Sequence, residues 1–250
     1  ERFSYWVNLL DNGVVSSAED QYVLKPYQSI WLMPETVDHV SALWAPFTDW
    51  LKTKDSSTDE TILLAPDSFK GSLSAVEFCH IAEQTLHNLD ANIQVISRPM
   101  SDGGEGFVDA FIYAGMAERQ TRIVQDPLAR PVSADFAWQS TTKTAIVEMA
   151  QASGLPLLSI EERNPLKTTT YGTGQLLQAA VDMGAKKIIL GLGGSATHDA
   201  GMGALQALKF KCLNASGDSI AQGSEALIDL NQIIDNQPGL AEIDWVMACD

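Results

Sequence analysis

Three short stretches combine small, hydroxylated and charged residues at spacings that suit chemistry on an anionic substrate. They are Asp67-Ser68-Phe69-Lys70-Gly71-Ser72, Asp102-Gly103-Gly104-Glu105-Gly106, and Gly191-Leu192-Gly193-Gly194-Ser195-Ala196-Thr197-His198-Asp199. The third is the most specific. Gly193 and Gly194 have no Cβ, so the backbone there can approach a ligand closely. Ser195 and Thr197 add hydroxyl donors, and a helix expected over 199–208 would turn its first N–H groups toward an anion. This is chemistry for phosphate. The stretch is neither a GxxxxGK[ST] loop nor a dinucleotide fingerprint, because GLGGSA lacks the third glycine. A tight turn that needs glycine only for its conformation would read the same way.

The acids and bases around these glycines each admit two readings. Asp199 suits Mg²⁺ binding or the orientation or deprotonation of an acceptor hydroxyl in phosphoryl transfer. It equally suits stabilisation of a helix start through the macrodipole. His198 reads as a polar loop residue. Asp102 and Glu105 suit Mg²⁺, which takes one or two carboxylates plus phosphate oxygens, or else form a variant capping box ahead of a helix. Lys70 could neutralise a substrate carboxylate or phosphate, or be a solvated loop lysine. The run Thr168-Thr169-Thr170-Tyr171-Gly172-Thr173-Gly174 opens a helix with several hydroxyls, fit for an oxyanion or for capping.

These loops need strands and helices to hold them. Thr61–Ala65 reads as a buried strand, Ser74 as the N-cap of a helix with the apolar stripe Ala75, Phe78, Ala82, Leu86 and Leu89, and 93–97 as a second strand. A helix is expected over 107–115. Segments 119–125, 132–138 and 144–149 read as three successive strands, an interruption that suggests an inserted α+β piece. Alternation resumes with a helix over 172–183 and a strand over 187–190. Such alternation predicts an α/β chain with a parallel sheet covered on both faces. Ligands of open α/β sheets bind at the carboxyl ends of strands. If the strands before the three loops share one sheet, the loops converge.

Composition bounds the rest. The 250 residues carry 16 Lys+Arg against 32 Asp+Glu, a formal charge of −16. That argues against a nucleic-acid or anionic-membrane partner, but leaves room for a locally positive pocket. Three widely spaced cysteines, Cys79, Cys212 and Cys249, argue against a disulfide scaffold or zinc site and for a reducing, cytoplasmic compartment. No apolar run is long enough to span a membrane, and the first residues lack the pattern of a signal peptide. The chain does not open on Met and closes within a strand-like run, so both ends read as cut. Residues 1–59 are rich in Trp and Tyr and hold one glycine, Gly13. A polar linker reaches Glu60, where the character changes.

Taken together, the blocks resemble the bacterial glycerate kinases that form 2-phosphoglycerate. The matching stretches are 65–75, 99–106, Asp126-Pro127-Leu128-Ala129-Arg130-Pro131-Val132, Glu148-Met149-Ala150-Gln151-Ala152-Ser153-Gly154-Leu155, 164–174 and 191–203, in the family's order. The resemblance implies ATP and Mg²⁺ as cofactors and D-glycerate as acceptor, with oligomeric state open. It implies a flavodoxin-like parallel-sheet domain, 61–125, and a second α/β (α+β) domain inserted from about 126 to 250. Catalytic roles are expected for Asp199 and Lys70, substrate or nucleotide contacts for Asp67, Ser68, Gly103, Gly104, Glu105, Thr170, Gly172, Gly193, Gly194 and Ser195, and a Mg²⁺ ligand in Asp102. Two departures stand out. His198-Asp199-Ala200-Gly201 stands where the family usually has Asn-Asp-Gly-Gly, and the family continues past Asp250 with a Val-x-Asn-Pro-Leu segment. A kinase of another small sugar acid, or a truncated binding module, would fit the same residues.

Residues 1–35, with Phe3-Ser4-Tyr5-Trp6-Val7-Asn8-Leu9-Leu10 and Tyr22–Leu32, resemble the all-β tail of the C-terminal domain of sucrose phosphorylase-like α-amylase-superfamily enzymes, followed by a linker over 36–60. That juxtaposition implies a fusion of a glycoside phosphorylase acting on glucosylglycerate with a glycerate kinase. A frameshift or a lost stop between neighbouring genes would give the same string.

Overall fold

A computed structural model of the chain describes residues 61–249 and the backbone of two short strands, β1 (Val14–Ser16) and β2 (Gln21–Val23), which pair antiparallel. The remainder of 1–60, and with it most of the expected β-domain tail and the whole linker, lies outside the described residues. The chain divides into two compact units, Glu1–Met100 and Ser101–Asp250. The sequence reading put a division at 125/126. The helix that starts at Phe107 and the strand that starts at Glu118 both belong to the second unit's sheet layers.

In the first unit, β3 (Thr61–Leu64) and β4 (Gln94–Ser97) pair in parallel, from Thr61↔Gln94 to Leu64↔Ser97. Helix α1 (Ala75–Leu89) connects them. It starts where the sequence says it should. Ser74 Oγ accepts the Glu77 N–H at 3.1 Å and Glu77 returns a carboxylate to the Ser74 N–H at 2.9 Å, a reciprocal cap that satisfies two otherwise orphaned donors. Its buried stripe is Ala75, Cys79, Ala82 and Leu86, with Phe78 and Leu89 on the flanks. These pack on Leu64 and Ile93. Fully burying a side chain such as Leu86 contributes about 1.5–3 kcal/mol, which holds the helix on its strand pair.

The second unit is built on a five-stranded sheet of order β11-β8-β7-β6-β5, with β5 (Glu118–Gln125), β6 (Pro131–Gln139), β7 (Thr144–Glu148), β8 (Lys187–Gly191) and β11 (Asp244–Ala248). The three successive strands of the sequence reading are the antiparallel meander β5-β6-β7, while β7, β8 and β11 run parallel. The sheet is thus mixed, and only its β7-β8-β11 part is parallel. Every residue of β7 is buried because both faces are covered. Ala145 and Val147 pack with Phe136, Ile188 and the Leu176-Leu177-Ala180 side of α4 (Tyr171–Asp182). Ile146, one residue out of phase, packs with Phe107 and Val108 of α2 (Phe107–Tyr113). Period-2 alternation in a strand between two helical layers produces this division.

A short α3 (Ala150–Ser153) follows β7, and α5 (Met202–Ala207) packs on α4. The helix expected from Asp199 starts three residues later. Ala200 and Gly201 both have positive φ, +51° and +75°, a conformation no helix accommodates. A small antiparallel pair, β9 (Lys211–Leu213) and β10 (Gln232–Ile234), completes the unit. Cys79 and Cys212 are buried and Cys249 is exposed, all as free thiols. Among the described residues no helix is long and apolar enough to cross a membrane.

Candidate active site

The carboxyl ends of β7, β8 and β11 lie side by side, with Glu148 and Ala248 both in register with Gly191. Two of the three glycine stretches meet over this edge. The Gly193 N–H donates to the Gly103 carbonyl at 3.1 Å, and the Leu192 N–H to the Ala248 carbonyl at 3.0 Å. Glycine is needed here for approach of chain to chain. Gly103 has φ +98°, and a Cβ on it would lie 2.5 Å from the Ala248 carbonyl oxygen. A Cβ on Gly193 would lie 2.5 Å from the Gly104 Cα. Real side chains do not tolerate such contacts with backbone, so these positions admit no other residue without separating the loops.

The acids of the second loop do not form a capping box. The N-cap of α2 is Gly106, at φ +87°, with no side-chain cap. Asp102 instead closes a turn, its Oδ1 accepting the Gly104 N–H at 2.9 Å. Asp102 and Glu105 are both exposed. In the third loop Gly194, at φ +71°, and Ser195 are exposed, with Ser195 Oγ 2.9 Å from Thr197 Oγ1. Leu155 N–H to the Gly194 carbonyl at 2.9 Å and Ala196 N–H to the Ser153 carbonyl at 2.8 Å pin the loop on one side. Among the described residues the amides of Gly194 and Ser195 donate to no protein acceptor. That leaves two N–H groups beside a mutually bonded pair of hydroxyls on one short turn, an arrangement that suits phosphate oxygens.

Asp199 is enclosed, at 1% exposure. Its Oδ2 accepts the N–H of Thr170 at 2.8 Å and of Gly203 at 3.1 Å, and its Oδ1 accepts the N–H of Gly201 at 3.2 Å. The Thr170 hydroxyl donates to it at 2.9 Å and in turn accepts the Ala204 N–H at 2.9 Å. One carboxylate therefore ties the start of α4 to the start of α5. Thr168, Thr169 and Thr170 are buried around it, with Thr168 Oγ1 on the Ala196 carbonyl at 2.9 Å, so the threonine run latches the third loop to α4. Gly172 sits against the Gln125 carbonyl and Gly174 against Ala204, leaving no room for a Cβ at either. These glycines serve close packing of the helix.

The first loop belongs to the first unit. β3 and β4 pair with each other, whereas β8 lies in the other sheet, so the strands before the three loops do not share one sheet. The second and third loops, both in the second unit, nevertheless meet through the Gly193 N–H and the Gly103 carbonyl, although the strands before them lie in different sheets. Within its own unit, the first loop is a tight turn with the Ser72 N–H on the Phe69 carbonyl at 2.8 Å and Gly71 at φ +79°. Lys70 stands exposed at its tip. The Ser68 N–H folds back on Asp67 Oδ1 at 2.6 Å.

One group at the sheet edge was not singled out from the sequence. Glu148 is 1% exposed, and burial, reinforced by the charge of Asp109, pushes its carboxyl up to about 7. The sequence signal was there: an acid closing the run Thr-Ala-Ile-Val, in which every other residue fits a buried strand. Among the described residues no group of three or more His, Cys, Asp or Glu side chains could hold a metal ion.

Residues 62–250 match the model of the glycerate kinase family. The chain is 42% identical over 192 residues to a glycerate kinase of Halalkalibacterium halodurans, covering 76% of this chain and 50% of that protein. It is 42% identical over 191 residues to the glycerate 2-kinase of Escherichia coli, with the same coverage of 76% and 50%. The fold is similar to a crystal structure described as that of glycerate kinase 2 from Salmonella typhimurium LT2, with a TM-score of 0.65 and 38% identity over 77% of this chain and 52% of that one. The chain spans about half the length of the curated relatives it matches.

Proposed function

The chain belongs to the glycerate kinase family, and we propose that the whole protein transfers the γ-phosphoryl group of ATP to D-glycerate, forming 2-phosphoglycerate. One observation carries the reading beyond family membership. The Asp102–Glu105 loop and the Gly193–Thr197 loop are joined over the carboxyl ends of three parallel strands, where open α/β sheets bind ligands.

Phosphoryl transfer asks a protein mainly for positioning and for donors directed at the transferring oxygens. The Gly194 and Ser195 amides with the Ser195 and Thr197 hydroxyls would supply donors. Mg²⁺, when bound, neutralises phosphate charge, and exposed Asp102 is the ligand proposed for it. Lys70 is proposed to hold an anionic group of the substrate, as the sequence reading has it. To Asp199 we assign a positioning role, since its oxygens are engaged in holding the starts of α4 and α5. The proposal is confined to residues 61–250. The phosphorylase partner expected from residues 1–35 lies outside the family match, which begins at residue 62.

The test is ADP release by the chain extended over the length its relatives have. Release that requires both ATP and D-glycerate supports the proposal. Release with another small sugar acid but not with glycerate moves the substrate, and no release with any acid from a folded protein overturns the kinase reading.

A further inference from the structure

The run Asp126-Pro127-Leu128-Ala129-Arg130-Pro131 has no part in the reaction proposed above, yet it is closely held. It makes the turn between β5 and β6. Asp126 is 5% exposed. Its Oδ1 accepts the N–H groups of Leu128 and Arg130 at 2.8 and 2.9 Å, and its Oδ2 accepts Arg130 Nε–H at 2.6 Å. Ala129 has φ +63°, a left-handed conformation that a non-glycine residue keeps only where its surroundings over-determine it. The same guanidinium also reaches outward. Nη1 donates to Glu162 Oε1 at 2.6 Å and Nη2 to the Leu157 carbonyl at 3.3 Å. One side chain thus joins the turn to two single-turn 3-10 helices, Leu155–Leu157 and Ile160–Glu162.

The Gly193–Thr197 loop is gripped from two flanks, and both trace back to this turn. On one flank the Leu155 N–H donates to the Gly194 carbonyl, the Ala196 N–H donates to the Ser153 carbonyl, and Gly154 forms a β-bridge with Ser195. On the other, Thr168 Oγ1 donates to the Ala196 carbonyl, and the next residue, Thr169, donates its N–H to the Pro127 carbonyl at 2.9 Å. The Asp102–Glu105 loop is anchored elsewhere. Glu148, at the end of β7, accepts the Val108 N–H at 3.1 Å in the first turn of the helix that follows that loop.

We propose that Arg130 is a positioning residue: through Leu157 and Glu162 it clasps the Ser153–Leu157 flank onto the Gly193–Thr197 loop and so holds the loop's phosphate donors in place. That the loop serves phosphate rests on the kinase reading; the clasp itself does not.

A lone exposed ion pair contributes little. Arg130 has a buried carboxylate on one side and three acceptors around one planar fork, a geometry that a lysine ammonium cannot span. Its removal leaves Asp126 with two backbone donors, so the turn persists while the clasp opens. A control of matched chemistry lies in the same unit. The Arg119 side chain is 44% exposed against 46% for Arg130, and it too pairs two carboxylates, Asp109 and Asp135. Those partners are on α2 and β6, not on either flank of the loop.

The experiment is hydrogen–deuterium exchange at the Leu155 and Ala196 amides of the full-length protein, beside steady-state kinetics, for wild type, Arg130→Ala, Arg130→Lys and Arg119→Ala. In Arg130→Ala both amides should exchange about tenfold faster, the weight of one hydrogen bond to a charged group. The kcat/KM for ATP should fall by a similar factor, while KM for D-glycerate, assigned to Lys70, stays unchanged. Arg130→Lys should behave like Arg130→Ala, and Arg119→Ala like wild type. Unchanged exchange in Arg130→Ala, full rescue by lysine, or an equal effect of Arg119→Ala overturns the proposal. Faster exchange with unchanged kinetics toward ATP overturns the positioning role. Should Arg130→Ala not fold, Glu162→Ala opens only the outer end of the clasp and must still speed exchange at Leu155; no change there overturns the proposal. Faster exchange in a protein that phosphorylates nothing supports the clasp and defeats only the kinase reading.

Discussion

Asp199→Ala separates a positioning role from a base role. In the structure the carboxylate is the acceptor for the backbone N–H groups of Thr170, Gly201 and Gly203. A methyl group leaves all of these without an acceptor, in a region where Asp199 is 1% exposed. Each buried donor left unsatisfied costs about 1–3 kcal/mol, so the loss is about 3–6 kcal/mol after partial relaxation. That is comparable with the whole stability of a domain, about 5–15 kcal/mol. Asp199→Asn should cost less, about 2 kcal/mol, because one oxygen still accepts from Thr170 and Gly203 while the new NH₂ faces the Gly201 donor. Urea unfolding read by circular dichroism measures both, with the denaturant slope unchanged. The reasoning is refuted if Asp199→Ala unfolds at the wild-type urea concentration yet has lost turnover. That pattern would describe a chemically active carboxylate with no part in holding the fold.

Other perturbations test other parts of the account. Gly193→Ala places a methyl 2.5 Å from the Gly104 Cα, against backbone that cannot swing away; about 1–3 kcal/mol of stability should be lost in urea unfolding, and turnover with it. Lys70→Ala, at an exposed turn tip, should change stability by less than about 0.5 kcal/mol while raising KM for glycerate, as steady-state kinetics would show. The Glu148 carboxyl titrates near 7 in the folded chain against 4.5 for its ordinary value. Between those pH values the folded state holds a proton that the unfolded state has released, so stability falls as pH rises through the window, by about 3 kcal/mol in all from this group. Unfolding free energies of wild type and Glu148→Gln at about pH 5 and about pH 8 should differ in slope by that amount, with the variant flatter.

Local patterns made the elements legible. The Ser74–Glu77 box and the stripe through Ala82 and Leu86 mark α1, and alternating or wholly apolar runs mark the β5-β6-β7 meander, because these signals arise from neighbours in sequence. Long-range pairing has no such signal. Nothing in 61–64 or 187–191 says that these strands belong to different sheets. Of Gly103, Gly172, Gly174 and Gly193, only Gly193 is read from the sequence for close approach, and then toward a ligand. Each lacks a Cβ because another part of the chain occupies its place, and the partners, Ala248, Gln125, Ala204 and Gly104, are visible only in three dimensions. The same holds for the acids. Asp102 next to Gly104 looks like a cap in sequence, but the left-handed Gly106 takes the N-cap position. Glu148 caps a helix that starts 41 positions before it in the numbering, at Phe107.

The proposed transfer of phosphate to glycerate belongs to the full-length protein and is tested there. The most direct measurement is the product formed from ATP, Mg²⁺ and D-glycerate by the full-length protein, followed by ³¹P NMR. One new phosphomonoester resonance, that of 2-phosphoglycerate, should grow as ATP becomes ADP. A folded protein that leaves ATP unchanged in the presence of glycerate, or that releases only inorganic phosphate, would contradict that transfer.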